Sequence, residues 1–195
     1  DGERAELVAS SINSIAANYN DTILKDSSRN EYMIKKMADL ADRTIWAIGH
    51  QLEKGLFVPD AYELNFLIDE QEIKLNSETA TMTMRGKIDR VDICEDEQNV
   101  YVRVVDYKSG KSDFDLLRTY YGLKMQLMTY MRDAMKLEEK KHRDKNIIPA
   151  GILYYNIDDP VVEAVNDEDI EMIDEMLQQS LCMKGVVNSN KDIVK

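Results

Sequence analysis

Hydrophobic positions in the first third of the chain recur with the spacing of an α-helix. Small and apolar residues follow this period from Ala5 to Tyr19. A longer stretch begins at Ser27 and Ser28, which are suited to cap a helix, and ends at Gly55. Its apolar stripe consists of Tyr32, Ile34, Met37, Leu40, Ala41, Ile45, Ile48 and Leu52. We therefore predict two helices, the second long and amphipathic.

After Pro59 the pattern changes to the alternation that is typical of β-strands. Three segments show it, AYELNFLI, TMTMRGKIDRVDIC and NVYVRVVDY, and polar DEQEIKLNSE and EDEQ separate them as turns. A helix over about 119–140, a fourth strand in PAGILYYNI and a last helix over about 167–182 follow. Short connections predict antiparallel pairing of the first three strands, and a strand after a crossover helix can join in parallel. The expected fold class is α/β, a mixed sheet flanked by helices.

Composition places the chain among globular proteins. Its 195 residues are enough for one core, and we expect one domain over 1–195: a helical lead-in to residue 57, a catalytic sheet over 58–160 and a C-terminal helix and tail. No apolar run approaches the ~20 residues of a membrane span, so no membrane association is expected. Cys94 and Cys182 lie far apart and outside any Cys-x-x-Cys pair, which favours a reducing cytoplasm.

The formal net charge of −12 argues against a general nucleic-acid coat protein, but the charge is uneven. Residues 85–145 contain 14 Lys and Arg against 12 Asp and Glu, a net charge of +2. The acidity therefore lies elsewhere, and a phosphate-bearing substrate remains compatible with this stretch. A solvated charged surface explains the same numbers equally well.

The segment VVDYKSGKS ends like a nucleotide-binding P-loop, and the sequence excludes that interpretation. A P-loop needs a glycine five residues before its Gly-Lys-Ser, where backbone amides surround phosphate. That position is Val105, inside a predicted strand. The Gly-Lys-Ser is better explained as the turn that follows the strand.

Two charged residues continue the apolar face of the same strand. Residues two apart in a strand point to one side, so Asp106 and Lys108 share a face with Val100, Val102 and Val104. Charged groups at the edge of a core are costly unless they pair or bind a cation. A partly buried Asp–Lys ion pair and a functional site both account for this segment.

The preceding strand makes a metal site the stronger interpretation. Asp89 in GKIDRVD lies seventeen residues before Asp106, and the short connection predicts a hairpin that brings the two carboxylates together. Two converging carboxylates suit a hard divalent cation, Mg²⁺ or Mn²⁺, which polarises a phosphate and lowers the pKa of bound water. A nearby lysine such as Lys108 can orient that water or stabilise the developing negative charge.

The following helix contains a second polar pair. Gln126 and Tyr130 are four residues apart and therefore lie on one helical face. They are suited to contact a DNA backbone or to support the catalytic strand. An ordinary helix face with Tyr130 in the core is the alternative for this pair taken alone.

Together, GKIDRVD, VVDYKSGK and YYGLKMQLMTY resemble the PD-(D/E)xK nuclease superfamily in its RecB-like branch. FVPDAYELNF, PAGILYYNIDDPVV and NDTILKDSSRNEYMIKKM add a likeness to the nuclease domains of the AddB or RexB type, which act in helicase–nucleases. The resemblance covers nearly the whole chain. It implies a restriction-endonuclease-like core with a four- to five-stranded mixed sheet, and a metal-dependent DNA exonuclease that processes double-strand breaks beside an AddA-like subunit.

The resemblance also implies roles for individual residues. Asp89, Asp106 and the main-chain carbonyl of Tyr107 would be metal ligands, and Lys108 would be the motif lysine. Gln126 and Tyr130 match the Gln-x-x-x-Tyr of the branch. Glu63 matches a glutamate that precedes the second motif, where a structural role is equally expected. Arg90 follows the catalytic aspartate in this branch and is equally suited to a salt bridge.

Two features of the family pattern are not expected within this chain. His50 comes too late on its helix to match the motif histidine, which we expect upstream of Asp1, so the chain is expected to be a fragment of a longer protein. The family's iron–sulfur cluster uses four cysteines, and neither Cys94 nor Cys182 fits their spacing. A 4Fe-4S cluster is therefore expected in the full-length protein, with its cysteines outside this chain, and the fragment alone is expected to have little activity. A non-catalytic module that binds DNA or a partner protein is the alternative function.

Overall fold

The computed structural model describes residues 2–19, 27–75, 78–162 and 170–190. Their contacts divide the chain into two compact units, residues 1–55 with 157–182, and residues 56–156 with 183–195. The elements in chain order are α1 Gly2–Asn18, α2 Ser28–Glu53, β1 Val58–Leu75, β2 Glu78–Glu95, β3 Asn99–Lys108, α3 Leu116–Tyr120, α4 Gln126–Lys141, β4 Asn146–Asn156, α5 Ile170–Ser180 and β5 Lys184–Val187. The expectation of one domain over 1–195 stays a prediction.

The first unit contains helices α1, α2 and α5. The hydroxyl of Ser27 caps α2 and accepts a hydrogen bond from the backbone nitrogen of Asn30 at 3.3 Å, as the sequence predicts. Helices α1 and α2 pack together, and Arg4 joins Asp42 across them with an N–O distance of 2.7 Å. Both predicted N-terminal helices are therefore confirmed. The last helix ends at Ser180, slightly before the predicted end, and its predicted start lies outside the described residues.

The second unit is a five-stranded mixed sheet with the strand order β1-β2-β3-β4-β5. Strands β1, β2 and β3 pair antiparallel in sequence, and β4 joins β3 in parallel after the α4 crossover. This is the pairing predicted from the lengths of the connections. The short strand β5 completes the sheet antiparallel to β4.

Helix α4 covers one face of the sheet and closes the core. The core contains apolar side chains of β2, β3, β4 and α4 that are almost inaccessible to solvent, namely Ile88, Val91, Ile93, Val100, Val102, Val104, Leu127, Tyr130, Met131, Ala134, Ile152 and Tyr154. The three valines of β3 face α4 because they alternate along the strand. The predicted apolar face of this strand is therefore confirmed.

Two predicted boundaries are wrong. The polar segment over 69–78 predicts a turn, but strands β1 and β2 stay paired as far as Leu75 and Glu78. Backbone pairing satisfies the amides and carbonyls there whatever the side chains, so polar composition does not end the strand. The helix predicted from residue 119 is divided into α3 and α4, because Gly122 between them has a φ of 75°.

The described helices are too short or too polar to cross a membrane. None within residues 2–19, 27–53, 116–141 and 170–180 combines the length and apolar composition that a membrane-spanning helix needs.

Candidate active site

The candidate site begins where β3 leaves the core. Asp106 is only 2% exposed, and its Oδ2 lies 2.6 Å from the Nζ of Lys108. The amine of Lys108 also lies 5.6 Å from the centre of the Tyr154 ring on β4. The ion pair that the sequence offered as one alternative is therefore present, on the face of β3 that α4 covers.

Asp89 approaches from β2, at the point where the two strands stop pairing. The last aligned pair of the β2–β3 ladder is Arg90 with Val105, so continuing the register by one residue sets Asp89 against Asp106. In place of a ladder bond, the Oδ2 of Asp89 accepts a hydrogen bond from the backbone nitrogen of Tyr107 at 2.8 Å. The hairpin thus brings Asp89 next to the Asp106–Lys108 segment, as the count of residues predicted.

The sheet is irregular at the level of Asp89. Ile88 and Val91 both belong to the core although they are three residues apart, so the two-residue alternation of β2 is broken between them. Opposite this break on β1, Glu63 has a φ of 50°, a left-handed conformation that costs a non-glycine residue roughly 1 kcal/mol. From Arg90 onward the alternation is regular again, because Arg90 and Asp92 lie on one face.

Helix α4 adds Gln126 and Tyr130 to the site. The Nε2 of Gln126 donates to Asp106 Oδ1 at 3.2 Å and to the Tyr130 hydroxyl at 2.7 Å, and its Oε1 accepts from Lys108 Nζ at 3.0 Å. Tyr130 is buried, and its ring meets the edge of Phe66 at a centroid distance of 5.5 Å. Gln126 therefore contacts both charged residues, and Tyr130 orients Gln126.

Burial determines the electrostatics of the pair. It raises the pKa of the Asp106 carboxyl above its ordinary value, the lysine opposes this rise, and the charge of Asp89 adds to it. Burial by itself lowers the pKa of Lys108, but the bond and attraction to Asp106 outweigh it, so that pKa lies above its ordinary value. One lysine therefore does not fully compensate the negative charge that Asp89 and Asp106 bring together.

The oxygens at this place are chemically suited to a hard divalent cation. Mg²⁺ is commonly held by one or two carboxylates with water and substrate phosphate completing its shell, and Mn²⁺ uses similar oxygen ligands. Asp89 and Asp106 supply two carboxylates, and Lys108 is the one cation that pairs with Asp106 in the described contacts. Within the described part of the chain no group of three or more His, Cys, Asp and Glu side chains is arranged to hold a metal. The residues fit an ion bound partly by water.

The opposite face of β2 and β3 contains a buried ionic network that sequence reasoning missed. We call it the Arg90 network and define it as Arg90, Asp92 and Arg103. Arg90 Nε lies 2.8 Å from Asp92 Oδ1, and Arg103 Nη2 lies 2.7 Å from Asp92 Oδ2. Arg90 therefore forms the salt bridge that the sequence offered as one of two alternatives. The available signal was the period of two in DRVD and in YVRV, which aligns Asp92 with Arg103 once the register is known.

Sequence reasoning also missed the role of Gly86 at the start of GKIDRVD. A Cβ at this position would lie 2.2 Å from the Cζ of Phe66, so only glycine leaves room for the ring. Because the Phe66 ring also packs against Tyr130, Gly86 contributes indirectly to the position of the α4 residues. An isolated glycine within a strand pattern is a known signal of such a close approach.

Two other predicted residues have contacts of their own. The carboxylate of Glu63 is exposed and pairs with Lys87 at 2.9 Å. His50 belongs to the first unit, where its Nδ1 lies 2.9 Å from the backbone oxygen of Trp46. The ion pair with Lys87 is consistent with the structural role that the sequence offered as one alternative for Glu63.

Comparison with family models adds independent evidence to this geometry. Residues 3–190 match the model of the PD-(D/E)XK nuclease superfamily, a span that includes both strands and the helix of the site. The chain belongs to the PD-(D/E)XK nuclease superfamily. The mixed sheet with its crossover helix is consistent with the restriction-endonuclease-like α/β fold of this superfamily.

Curated relatives indicate which kind of nuclease protein this PD-(D/E)XK chain is similar to. A protein from Lachnoclostridium phytofermentans that is named as a subunit of an ATP-dependent helicase/deoxyribonuclease is 37% identical over 91% of the chain and 14% of the relative. Proteins of the same name from Alkaliphilus metalliredigens and Clostridium tetani are 34% and 36% identical, over 97% and 89% of the chain and 17% and 15% of each relative. The chain therefore spans about a sixth of the length of these relatives.

Proposed function

We propose that this chain is the metal-dependent DNA exonuclease domain of an AddAB-type helicase–nuclease that processes double-strand breaks for recombinational repair. The observation that supports the proposal most strongly is the convergence of Asp89, Asp106 and Lys108 at the end of β3. Membership of the PD-(D/E)XK superfamily and relatives named as helicase/deoxyribonuclease subunits support it further.

In this proposal each site residue has a separate task. Asp89, Asp106 and the main-chain carbonyl of Tyr107 would hold Mg²⁺ or Mn²⁺, which supplies Lewis-acid activation of the phosphate and of a water molecule when bound. The ammonium of Lys108 stabilises the negative charge that develops on the phosphate. Gln126 keeps Lys108 and Asp106 oriented, and Tyr130 fixes Gln126.

Other parts of the proposal concern the longer protein. We infer a DNA substrate, a partner of the AddA-like helicase–nuclease type and a cytoplasmic location, in line with the relatives' printed name of a helicase/deoxyribonuclease. An iron–sulfur cluster held by cysteines outside this chain is part of the same proposal. Cys94 and Cys182 are both free thiols.

The decisive experiment replaces one carboxylate at constant shape. Asp106→Asn in the full-length protein, assembled with its partner, is expected to lower cleavage of the strand assigned to this domain by about 10³-fold or more, because a metal ligand is lost. Isothermal titration with Mn²⁺ is expected to show loss of the corresponding binding event. Asp144→Asn, at an exposed turn, is the matched control and is expected to behave as wild type. Unchanged cleavage with Asp106→Asn would contradict the proposal.

The ion pair itself favours a second function. Because Lys108 already pairs with Asp106 at 2.6 Å, the same residues are compatible with a non-catalytic module that binds DNA or a partner protein. That function predicts no Mn²⁺ binding by the wild-type protein and normal assembly of the Asp106→Asn variant. The titration therefore separates the two functions without relying on cleavage.

A further inference from the structure

We propose that Arg90 and Tyr107 are positioning residues, through which the buried Arg90 network orients the carboxylate of Asp89 at the metal site. The inference rests on the proposed function in one respect, since it assigns to these residues an effect on metal affinity. Its structural part, the control of the Asp89–Tyr107 hydrogen bond, stands on the contacts alone.

Asp89 and Arg90, adjacent on β2, both bind Tyr107 of β3, one at its backbone nitrogen and the other at its phenol oxygen. The backbone nitrogen of Tyr107 donates to Asp89 Oδ2 at 2.8 Å, and the phenol oxygen of Tyr107 accepts from Arg90 Nη1 at 2.7 Å. Backbone pairing of the strands has already ended at Arg90 and Val105. These two bonds therefore continue the β2–β3 contact beyond the ladder, at the residue between Asp106 and Lys108.

The ring of Tyr107 transmits the constraint because it is itself well packed. It makes an edge-to-face contact with the ring of Tyr155, which is inaccessible to solvent, at a centroid distance of 5.8 Å and an interplanar angle of 67°. A side chain held at its phenol oxygen and along its ring leaves its own backbone little freedom to move. The backbone N–H that Asp89 uses is consequently fixed in direction.

Arg90 is held as firmly as the residue that it positions. It is 1% exposed, and Asp92, which is fully buried, contacts it at 2.8 Å and 3.1 Å. Arg103 approaches Asp92 at 3.0 Å and 2.7 Å and lies over the ring of Phe57, 4.4 Å from its centre. The guanidinium of Arg90 therefore has one orientation, in which its Nη1 points at the phenol.

The chemistry of the network favours a positioning role over a purely stabilising one. Apolar residues of similar volume commonly stabilise a core as well as a buried ion pair does, because the charges must lose their water. Two fully buried charged groups and a third that is 20% exposed, next to a candidate metal ligand, are thus not explained by stability. They are explained by the directional bonds that guanidinium groups make, which fix Tyr107 and, through its backbone, Asp89.

The test compares two tyrosines of the same strand. Tyr107→Phe keeps the ring and removes the acceptor for Arg90. Tyr101→Phe is the matched control, because Tyr101 lies on the same strand and its hydroxyl also makes a hydrogen bond, donating to the carboxylate of Asp96 at 2.9 Å at the far end of β3. Both are made in the full-length protein, and thermal unfolding reports the structural cost of each. Arg90→Lys, which keeps the charge but loses the planar fork, probes the same bond from its other side.

Two measurements decide the proposal. Hydrogen–deuterium exchange without metal is expected to be about fivefold faster at the amide of residue 107 in Tyr107→Phe, since its bond to Asp89 weakens, and unchanged in Tyr101→Phe. The Mn²⁺ dissociation constant is expected to rise about tenfold in Tyr107→Phe and in Arg90→Lys, and to stay constant in Tyr101→Phe.

The outcomes separate this proposal from the proposed function. Unchanged exchange at residue 107 would overturn the positioning role, whatever the metal does. Faster exchange in a protein whose wild type binds no Mn²⁺ supports the control of the Asp89 bond and counts against the metal site instead. Faster exchange with unchanged Mn²⁺ affinity would overturn the effect on the metal site and leave only a structural contact.

Discussion

Two buried aspartates on the β2–β3 hairpin differ in how their charge is compensated. Asp92 is fully buried between Arg90 and Arg103, so two guanidinium groups share one carboxylate. Asp106, on the other face of the sheet, is 2% exposed and has one lysine, a neutral amide and a second carboxylate nearby. The first centre is saturated with positive charge, and the second, where one lysine faces two carboxylates, is the proposed cation site.

The charge of a third aspartate of the same hairpin, Asp96, is compensated in another way. Asp96 is exposed in the turn, and it accepts hydrogen bonds from the side-chain amide of Asn99, from the backbone of Gln98 and Asn99 and from the hydroxyl of Tyr101. Neutral donors therefore hold the pKa of Asp96 well below its usual range. The comparison shows that a carboxylate's surroundings, and not its presence in a motif, indicate whether it is structural or able to bind metal.

The largest expected effect tests the saturated centre. Asp92→Asn leaves two guanidinium groups without their carboxylate, so the free energy of unfolding is expected to fall by about 3–5 kcal/mol. Denaturant unfolding measures this loss, with the exposed Asp144→Asn as the control. A variant as stable as wild type would mean that water or another group compensates the arginines, and the contrast with Asp106 would disappear.

A second prediction tests the under-compensated centre. Lys108→Met removes the cation but leaves both carboxylates, so cleavage is expected to fall by about 10²–10³-fold while Mn²⁺ still binds. Asp106→Asn is expected to lose both cleavage and Mn²⁺ binding. Lys111→Met, three residues further along in the exposed turn, is the control for loss of a positive charge. Full activity in Lys108→Met would reduce this lysine to a structural partner of Asp106.

The smallest expected effect concerns the contribution of Asp96 to the stability of the protein at acid pH. Its pKa is lowered by folding, so the stability that it contributes is present above the unfolded pKa of about 3.9 and is lost as pH falls through the lower folded value. Asp96→Asn is therefore expected to flatten the fall in stability at pH values below about 4. Urea unfolding across that range measures the difference. A slope identical to wild type would show that the turn bonds do not persist in solution.

The local periodicity of this chain was enough to predict most of the architecture. The alternation of NVYVRVVDYK established which residues of β3 face the core, because side chains in a strand alternate whatever surrounds them. The short EDEQ connection predicted a hairpin, and with it the approach of Asp89 to Asp106. The break of the predicted helix at Gly122 had a signal in the sequence, since glycine readily adopts its φ of 75°.

Other features depended on contacts between distant segments. No property of glutamate predicts that Glu63 has a φ of 50°, or that the alternation of β2 breaks opposite it. Strand pairing satisfies backbone groups over 71–75, so the polar composition there was misleading as a turn signal. Each of these features is decided by the partner strand, which periodicity within one segment does not reveal.

The sequence by itself therefore determined the order of the main elements, although not α3 and β5, together with the pairing of β1 to β4 and the residue types of the candidate site. These follow from local periods and connection lengths. Only the tertiary structure decided how each charge is compensated. Burial and register placed two arginines around Asp92 and left Asp106 with Lys108 and Gln126. The physical reason is that pairing energies and pKa values depend on distance and desolvation, which arise only when segments far apart in sequence pack together.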